Sequence, residues 1–279
     1  MEIIRTKKML QDALQPAHQM HKTIGLVPTM GALHNGHLTL IKQARAENDI
    51  VVCSIFVNPI QFNNQEDLEK YPRLPEQDIE LIKDYCDYCF MPSVEEMYPT
   101  PPTETYHFGA LEAVMEGAMR PGHFNGVGIV VNRLFQLTQP DKAYFGKKDF
   151  QQLAIIKQLV KDEHLNIEIR PVEIVREKDG LAISSRNKRL GETARQQAPF
   201  IYQTLLKAKA ESKHLSPKQL EEWIAGQFAA NKAFELEYAQ VVDADTLQPI
   251  DDYQHSQSVI ICLTAWLDHV RLIDNIIIK

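Results

Sequence analysis

Cysteine is scarce in this chain: four residues, Cys53, Cys86, Cys89 and Cys262, among 279. So few thiols in so long a chain do not make a disulfide framework, and they point to a reducing compartment, the cytoplasm. The "CDYC" of Cys86 to Cys89 has half the spacing of a zinc or redox motif, but no second Cys/His pair follows at a matching distance. "DYCDYCFMPS" alternates like a strand entering a core, so these thiols are expected to be structural. Long apolar runs are missing too. No stretch reaches the ~20 apolar residues of a membrane helix, and "MEIIRTKKMLQDAL" carries charges where a secretory signal would be uninterrupted. Nor is there a basic excess: 30 Lys and Arg stand against 37 acidic residues, a formal charge of -7. That speaks against a broad nucleic-acid footprint and leaves room for a small anionic ligand. Internal repeats and low-complexity tracts are also lacking.

What is present is enough apolar sequence, 44%, for one large core or two modest ones. In the first half, "IGLVPTM" and "DIVVCSIFVN" are short β-branched runs that end in Gly, Pro or Asn. Between them "HLTLIKQARAEN" repeats at helical spacing, with Leu38, Ile41 and Ala44 or Arg45 on adjacent turns of one side. Strand, crossover helix and strand predict a parallel sheet whose ligands sit at the carboxyl ends of its strands. The rhythm continues through "AYF" and "NIEIRPVEIV", predicting a Rossmann-like, doubly wound α/β domain over residues 1–175. After "REKDGLAISSRNKRLG" the texture turns helix-rich and then to the strand-like "FELEYAQVVDA", "SVIICLTAWL" and "VRLIDNIII". A smaller α+β domain is expected over 176–279. "YPTPPTETYHFG" is a Pro-rich loop long enough to serve as a mobile cover.

Three segments carry chemistry. In "TMGALHNGHL" a glycine turn leaves a parallel strand, and the helix starting near Gly36 points its positive end at the same crevice. His34 and His37, three residues apart, add two hydrogen-bond donors for growing phosphate charge. Alternatively, the pair caps and packs the helix start. "GLAISSRNKRL" sets Ser184 and Ser185 directly before Arg186, whose fork suits phosphate oxygens; a solvated basic linker is the other reading. "FGKKDFQQL" puts Gly146, Lys147, Lys148 and Asp149 at a strand-to-helix junction, which suits phosphate or is simply a charged helix start. Amides complete the set. Asn58 and Gln61 end the second strand and Gln152 lies one turn into a helix, offering donor and acceptor together to a substrate with hydroxyls and a carboxylate, unless they only shape loops.

Taken together, "VPTMGALHNGHLTL", "SIFVNPIQF", "EDLEKYPR", "MPSVEEMYP", "RPGHFNGV", "PDKAYFGKKDFQQL" and "DGLAISSRN" resemble the pantoate–β-alanine ligase family, in the family's order and over nearly the whole chain. The first segment alone marks only the HxGH nucleotidyltransferase superfamily. The resemblance implies two steps: pantoate attacks the α-phosphate of ATP to give pantoyl adenylate and pyrophosphate, then β-alanine displaces AMP to form the amide of pantothenate. Magnesium accompanies ATP, with no protein side chains assigned to it. Met30, Gly31, Ala32, Leu33, His34, Asn35, Gly36 and His37 are implied to line the ATP site, with Gly146, Lys147, Lys148, Asp149 and Val175. Ile183, Ser184, Ser185 and Arg186 are implied to close over the phosphates. His34, His37, Lys148, Ser184, Ser185 and Arg186 form the implied catalytic set, His37 being the nominated proton donor; hydrogen-bond donation to pyrophosphate already meets the chemical need. Gln61, Gln152 and Asn58 are implied for pantoate, and Gln61 for β-alanine as well. Tyr71, Arg120 and His123 rank second.

The implied partners are small molecules alone, with no nucleic acid or membrane, and the implied assembly is a homodimer. Three positions depart from the family's habit: Asn35 where Glu is common, Ile183 where Met is common, and "GVGIVV" where "GVATVV" is usual. Gly128 in that stretch predicts a looser helix start. Two rival readings are a nucleotidyltransferase acting on a phosphorylated acceptor and a silent nucleotide sensor. The neutral amides disfavour the first, and the full set of histidines, hydroxyls and cations disfavours the second. A tRNA-charging enzyme shares HxGH, but this short acidic chain has no evident tRNA-binding domain.

Overall fold

Parallel strands buried on both faces read as near-continuous apolar runs, and that is how the first half of the chain is built. The computed structural model describes residues 1–279. The chain begins β1 (Glu2–Ile4), α1 (Lys7–Gln19), β2 (Ile24–Thr29), α2 (Asn35–Glu47) and β3 (Ile50–Ile55). There follow α3 (Gln65–Glu69), α4 (Pro75–Ile82), β4 (Tyr88–Phe90), α5 (Val94–Met97), α6 (Met115–Met119) and α7 (His123–Thr138). Next are β5 (Lys142–Gly146), α8 (Phe150–Asp162), β6 (Glu168–Val172), α9 (Glu192–Gln197), α10 (Phe200–Glu211) and α11 (Pro217–Ala230). The chain closes with β7 (Phe234–Asp243), β8 (Val259–Leu267) and β9 (Val270–Ile277).

Two compact units result. Met1–Phe108, Arg120–Lys147 and Gln152–Glu173 form the first; Gly109–Met119, Lys148–Gln151 and Ile174–Lys279 form the second. Two short segments that precede residue 176 along the chain thus fold with the second unit.

The first unit holds a six-stranded sheet in the order β1-β4-β3-β2-β5-β6, every neighbouring pair parallel. The chain winds from β2 outward through β3 to β4, then returns to the other side of β2 for β5 and β6. The order therefore reverses between β2 and β5, the place where open α/β sheets receive ligands. Val27, Val51, Cys53, Cys89 and Tyr144 share a core with Leu40, Ile41 and Ala44 of α2 and Ile82 of α4. All four cysteines are free and buried, and burial pushes the Cys89 thiol up to about 12.

The Pro-rich loop, expected to serve as a mobile cover, is seated against α7. Tyr106 N–H donates to Asn125 Oδ1 at 2.8 Å, Asn132 Nδ2 donates to Tyr106 Oη at 2.5 Å, and Arg133 pairs with Glu104 at 2.9 Å. The Tyr106 and Phe108 rings stack with centroids 6.4 Å apart. Gly128 explains the fit. It lies inside α7 rather than at its start, and a Cβ there would stand 3.0 Å from the Tyr106 ring and 3.2 Å from Phe108. The glycine is a seat for the loop, not a loose end.

The second unit is an antiparallel meander, β7-β8-β9, covered by α10 and α11. Its core joins Leu205, Leu220, Ile224 and Phe228 of the helices to Val241, Ile261, Leu263 and Leu272 of the strands. α11 starts with a reciprocal capping box between Ser216 and Gln219, with Pro217 at its first position. Arg271 of β9 forks onto Glu116 of α6 at 2.6 and 2.8 Å and also binds Glu237, which sews the Gly109–Met119 segment to the sheet.

Candidate active site

The turn from β2 into α2 is wound tightly. Gly31 and Ala32 both take left-handed backbone angles, φ +80° and +49°. One buried carboxylate holds them there: Asp78 of α4, 2% exposed, accepts Ala32 N–H at 2.9 Å and Leu33 N–H at 2.6 Å. Two charge-assisted bonds to consecutive N–H groups fix the turn before any ligand arrives. His34 then caps α2 from extended geometry, its Nδ1 accepting Gly36 N–H at 3.1 Å. Since Nδ1 accepts, the ring's proton sits on Nε2, which makes that nitrogen a donor. The His34 and His37 rings lie 4.1 Å apart at 32°. Gly36 permits this, because a Cβ at that position would come within 2.9 Å of the His34 ring. The three-residue spacing in HNGH is what sets the His37 ring beside the capping His34 ring at a helix N-terminus.

Beside this turn stands an amide relay. Gln61, 6% exposed, donates from Nε2 to Met30 Sδ at 3.0 Å. Its Oε1 accepts from Asn58 Nδ2 at 3.1 Å, and that same nitrogen donates to Gly126 O at 3.0 Å. Tyr98 Oη–H closes the set on Asn58 Oδ1 at 2.8 Å. Both amide hydrogens of Asn58 are thus spent inside the protein, so in this structure Asn58 orients Gln61. His123, buried in α7, donates from Nδ1 to Gln61 O at 2.8 Å and accepts from Arg120 at Nε2, 3.2 Å. Tyr71 is buried edge-on against Phe62. Gly146 ends β5, paired with Val172, and the Lys147 ammonium is joined to Glu173. Gln152 is half-buried on α8.

In the second unit the remaining candidates form a separate frame. Lys148 is half-buried and Asp149 exposed; the Lys148 carbonyl accepts from Asn275 Nδ2 at 2.9 Å. Arg176 and Ala182 bridge a tight hairpin, and Ile183 N–H donates to Val175 O at 3.0 Å. From that hairpin the chain enters a 3-10 turn, Ser185–Arg189, capped by Ser184, whose Oγ accepts Arg186 N–H at 3.3 Å. Asn187 ties the turn back to Ala182 O at 3.0 Å. Behind the hairpin, Asp274 grips Arg176 at 2.6 and 2.9 Å. Burial pushes the Asp274 carboxyl up from its usual range, while Arg176 and the Lys148 charge pull it down.

A family model described as Pantoate-beta-alanine ligase matches residues 2–277. The chain belongs to the pantoate-beta-alanine ligase family. Curated relatives named pantothenate synthetase include one from Porphyromonas gingivalis, 48% identical, and one from Phocaeicola vulgatus, 49% identical; each match covers 99% of both chains. Among solved structures, pantothenate synthetase from Thermus thermophilus superposes with a TM-score of 0.92 at 40% identity, covering 99% of each chain. A pantoate-beta-alanine ligase from Francisella tularensis, solved as a complex with beta-gamma ATP and beta-alanine, gives 0.83 at 37%, covering 99% of this chain and 97% of its own.

Reading the sequence of this ligase for reactive residue types passes over the residues that hold them. Asp78 had a signal: four residues before buried Ile82, it puts a carboxylate on the apolar face of α4. Asp274 and Asn275 had a fainter one, two polar residues inside the apolar run "LIDNIII".

Proposed function

We propose that this ligase condenses pantoate with β-alanine in two ATP-dependent half-reactions. A carboxylate oxygen of pantoate forms a bond to the α-phosphorus as the bond to pyrophosphate breaks, and pyrophosphate leaves. The β-alanine amine then bonds to the acyl carbon of pantoyl adenylate as the C–O bond breaks, releasing AMP and a proton. A carboxylate becomes a good acylating agent only when its oxygen becomes a good leaving group, so the protein's task is positioning and charge stabilisation. In this reading Met30 to His37, Gly146 to Asp149, Val175 and Ile183 to Arg186 bind ATP. His34 and His37 donate hydrogen bonds to the phosphates, with Lys148, Ser184, Ser185 and Arg186 supplying further donors and charge. Gln61 and Gln152 hold pantoate, Asn58 sets the Gln61 amide, and Gln61 also meets the incoming β-alanine.

The observation that carries this reading is the HNGH turn at the β2/β5 reversal, with a helix N-terminus and two closely set, mutually tilted imidazoles at one strand end. Magnesium is written as part of the substrate, MgATP. The ion keeps waters and takes phosphate oxygens. No helix is long and apolar enough to cross a membrane. We place the ligase in the cytoplasm, which suits its four free thiols, and as a homodimer.

The test mixes protein, ATP, magnesium, pantoate and β-alanine and follows AMP with each acid omitted in turn. AMP should require both acids, and pyrophosphate should require pantoate alone. AMP released without pantoate would sink the proposal. Sedimentation of the same preparation should return twice the 31.9 kDa chain mass, and a single chain mass would remove the dimer.

A further inference from the structure

Two polar residues stand side by side in the most apolar part of β9. Asp274 is 4% exposed and Asn275 5%, in a strand whose neighbours Leu272, Ile273 and Ile276 are apolar. Burying such groups costs free energy unless every donor and acceptor is used. Here they are used in a particular direction. Asn275 donates from Nδ2 to the main-chain oxygen of Lys148 at 2.9 Å, a bond spanning 127 residues of sequence. Its own carbonyl accepts from Arg176 Nη2 at 3.4 Å, and its N–H donates to Asp274 Oδ1 at 2.8 Å. Asp274 receives the Arg176 fork through both oxygens. Arg176 extends the grip into the hairpin by donating to Gly180 O at 3.1 Å, with its guanidinium held 3.6 Å over the Tyr202 ring. From that hairpin Ile183, Ser184, Ser185 and Arg186 follow directly, pinned by the Val175 and Ala182 carbonyls.

We infer that Asp274 and Asn275 are positioning residues, which fix the main chain of Lys148 and the base of the Ser184–Arg186 turn to one strand so that both reach ATP in a set geometry. This rests on the proposed contact of Lys148 and Ser184–Arg186 with ATP. Neither β9 residue touches the reacting atoms. Asn275 acts through Lys148, and Asp274 acts through Arg176 and the hairpin. The flexible lysine stem sits in staggered rotamers, so where its main chain is fixed decides which set of positions the ammonium can reach. An error of about 1 Å at the reacting group can cost about a hundredfold in rate.

The experiment measures pantoate-dependent pyrophosphate release against ATP concentration for the full-length protein and for Asn275→Ala, Asp274→Asn, Lys148→Ala and Leu272→Ala. Asn275→Ala should raise KM for ATP or lower kcat by about tenfold or more, while KM for pantoate stays within about twofold. In the Lys148→Ala background, adding Asn275→Ala should change the rate by no more than about twofold, because the residue acts through Lys148. Leu272→Ala opens a cavity in the same strand and controls for lost stability; it should lower the melting temperature while leaving KM for ATP within about twofold. Three results would overturn the inference: Asn275→Ala at parental rates while Lys148→Ala is impaired, full additivity of the two, or an equal rise in KM for ATP from Leu272→Ala. If Lys148→Ala itself turns over like the parent, the ATP-site reading fails and the inference falls with it.

Discussion

The Met30–His37 turn of the first unit and the Ser184–Arg189 turn of the second are both short and capped by their own side chains. His34 caps one through Nδ1, and Ser184 caps the other through Oγ. They differ in what holds them from behind. The first is seized by its main chain: Asp78 takes two consecutive N–H groups, and the backbone is committed to left-handed angles at Gly31 and Ala32. The second is held at its base, through a hairpin whose Arg176 is locked on Asp274 and whose tip is tied by Asp179 to Arg195 of α9. A main-chain clamp leaves the turn one shape. A clamp one hairpin away fixes where the turn begins and leaves its tip, with exposed Lys188 and Arg189, facing solvent.

The sharpest way to break this contrast is Asp78→Ala, which strips the acceptor from two buried N–H groups at once. It should destabilise the protein by about 3 kcal/mol, read as a lower urea midpoint at unchanged slope; a loss below about 1 kcal/mol would mean that the turn holds itself. A smaller effect separates the capping role of His34 from its proposed phosphate contact. His34→Ala removes a helix cap worth about 1 kcal/mol, whereas His34→Asn keeps a capping oxygen and should stay within about 0.5 kcal/mol of the parent. Both should slow pantoyl adenylate formation in single-turnover measurements. Recovery of the rate along with the cap in His34→Asn would make the residue structural only.

The smallest effect lies at the hairpin tip. The Arg195 guanidinium, with the Leu181 N–H behind it, holds the Asp179 carboxyl below its usual range despite some burial. A depressed carboxylate stabilises the fold above its unfolded pKa and loses that contribution as pH falls through the folded value. Asp179→Asn should therefore cost no more than ~0.5 kcal/mol near neutral pH, because the pair is partly exposed, and should match the parent at the acid end of a stability profile. A constant offset at all pH values would assign the effect to packing.

How much of this was legible follows from the range of the interactions. Period and β-branching gave the β2–α2–β3 unit, the later strands and the α+β texture of the second half, since those signals act over a few residues. The HNGH, GKKD and ISSR segments were visible because their residue types are chemically pointed. Their anchors were far fainter, because Asp78 lies 41 residues from His37 by number and Asn275 lies 127 from Lys148, and a polar residue among apolar ones does not say which segment it holds. The Pro-rich loop shows the same limit from the other side. Its composition suggested mobility and said nothing of the glycine more than twenty residues away that makes room for Tyr106.

The Asp78 clamp has one more consequence, for the heat and disorder of binding. Fixing a residue's backbone costs about 1–2 kcal/mol in lost conformational freedom, and a floppy nucleotide loop would meet that cost whenever substrate arrived. Here Ala32 and Leu33 already have their N–H groups held by Asp78. Their entropy is surrendered once, when the chain folds, and not at every turnover.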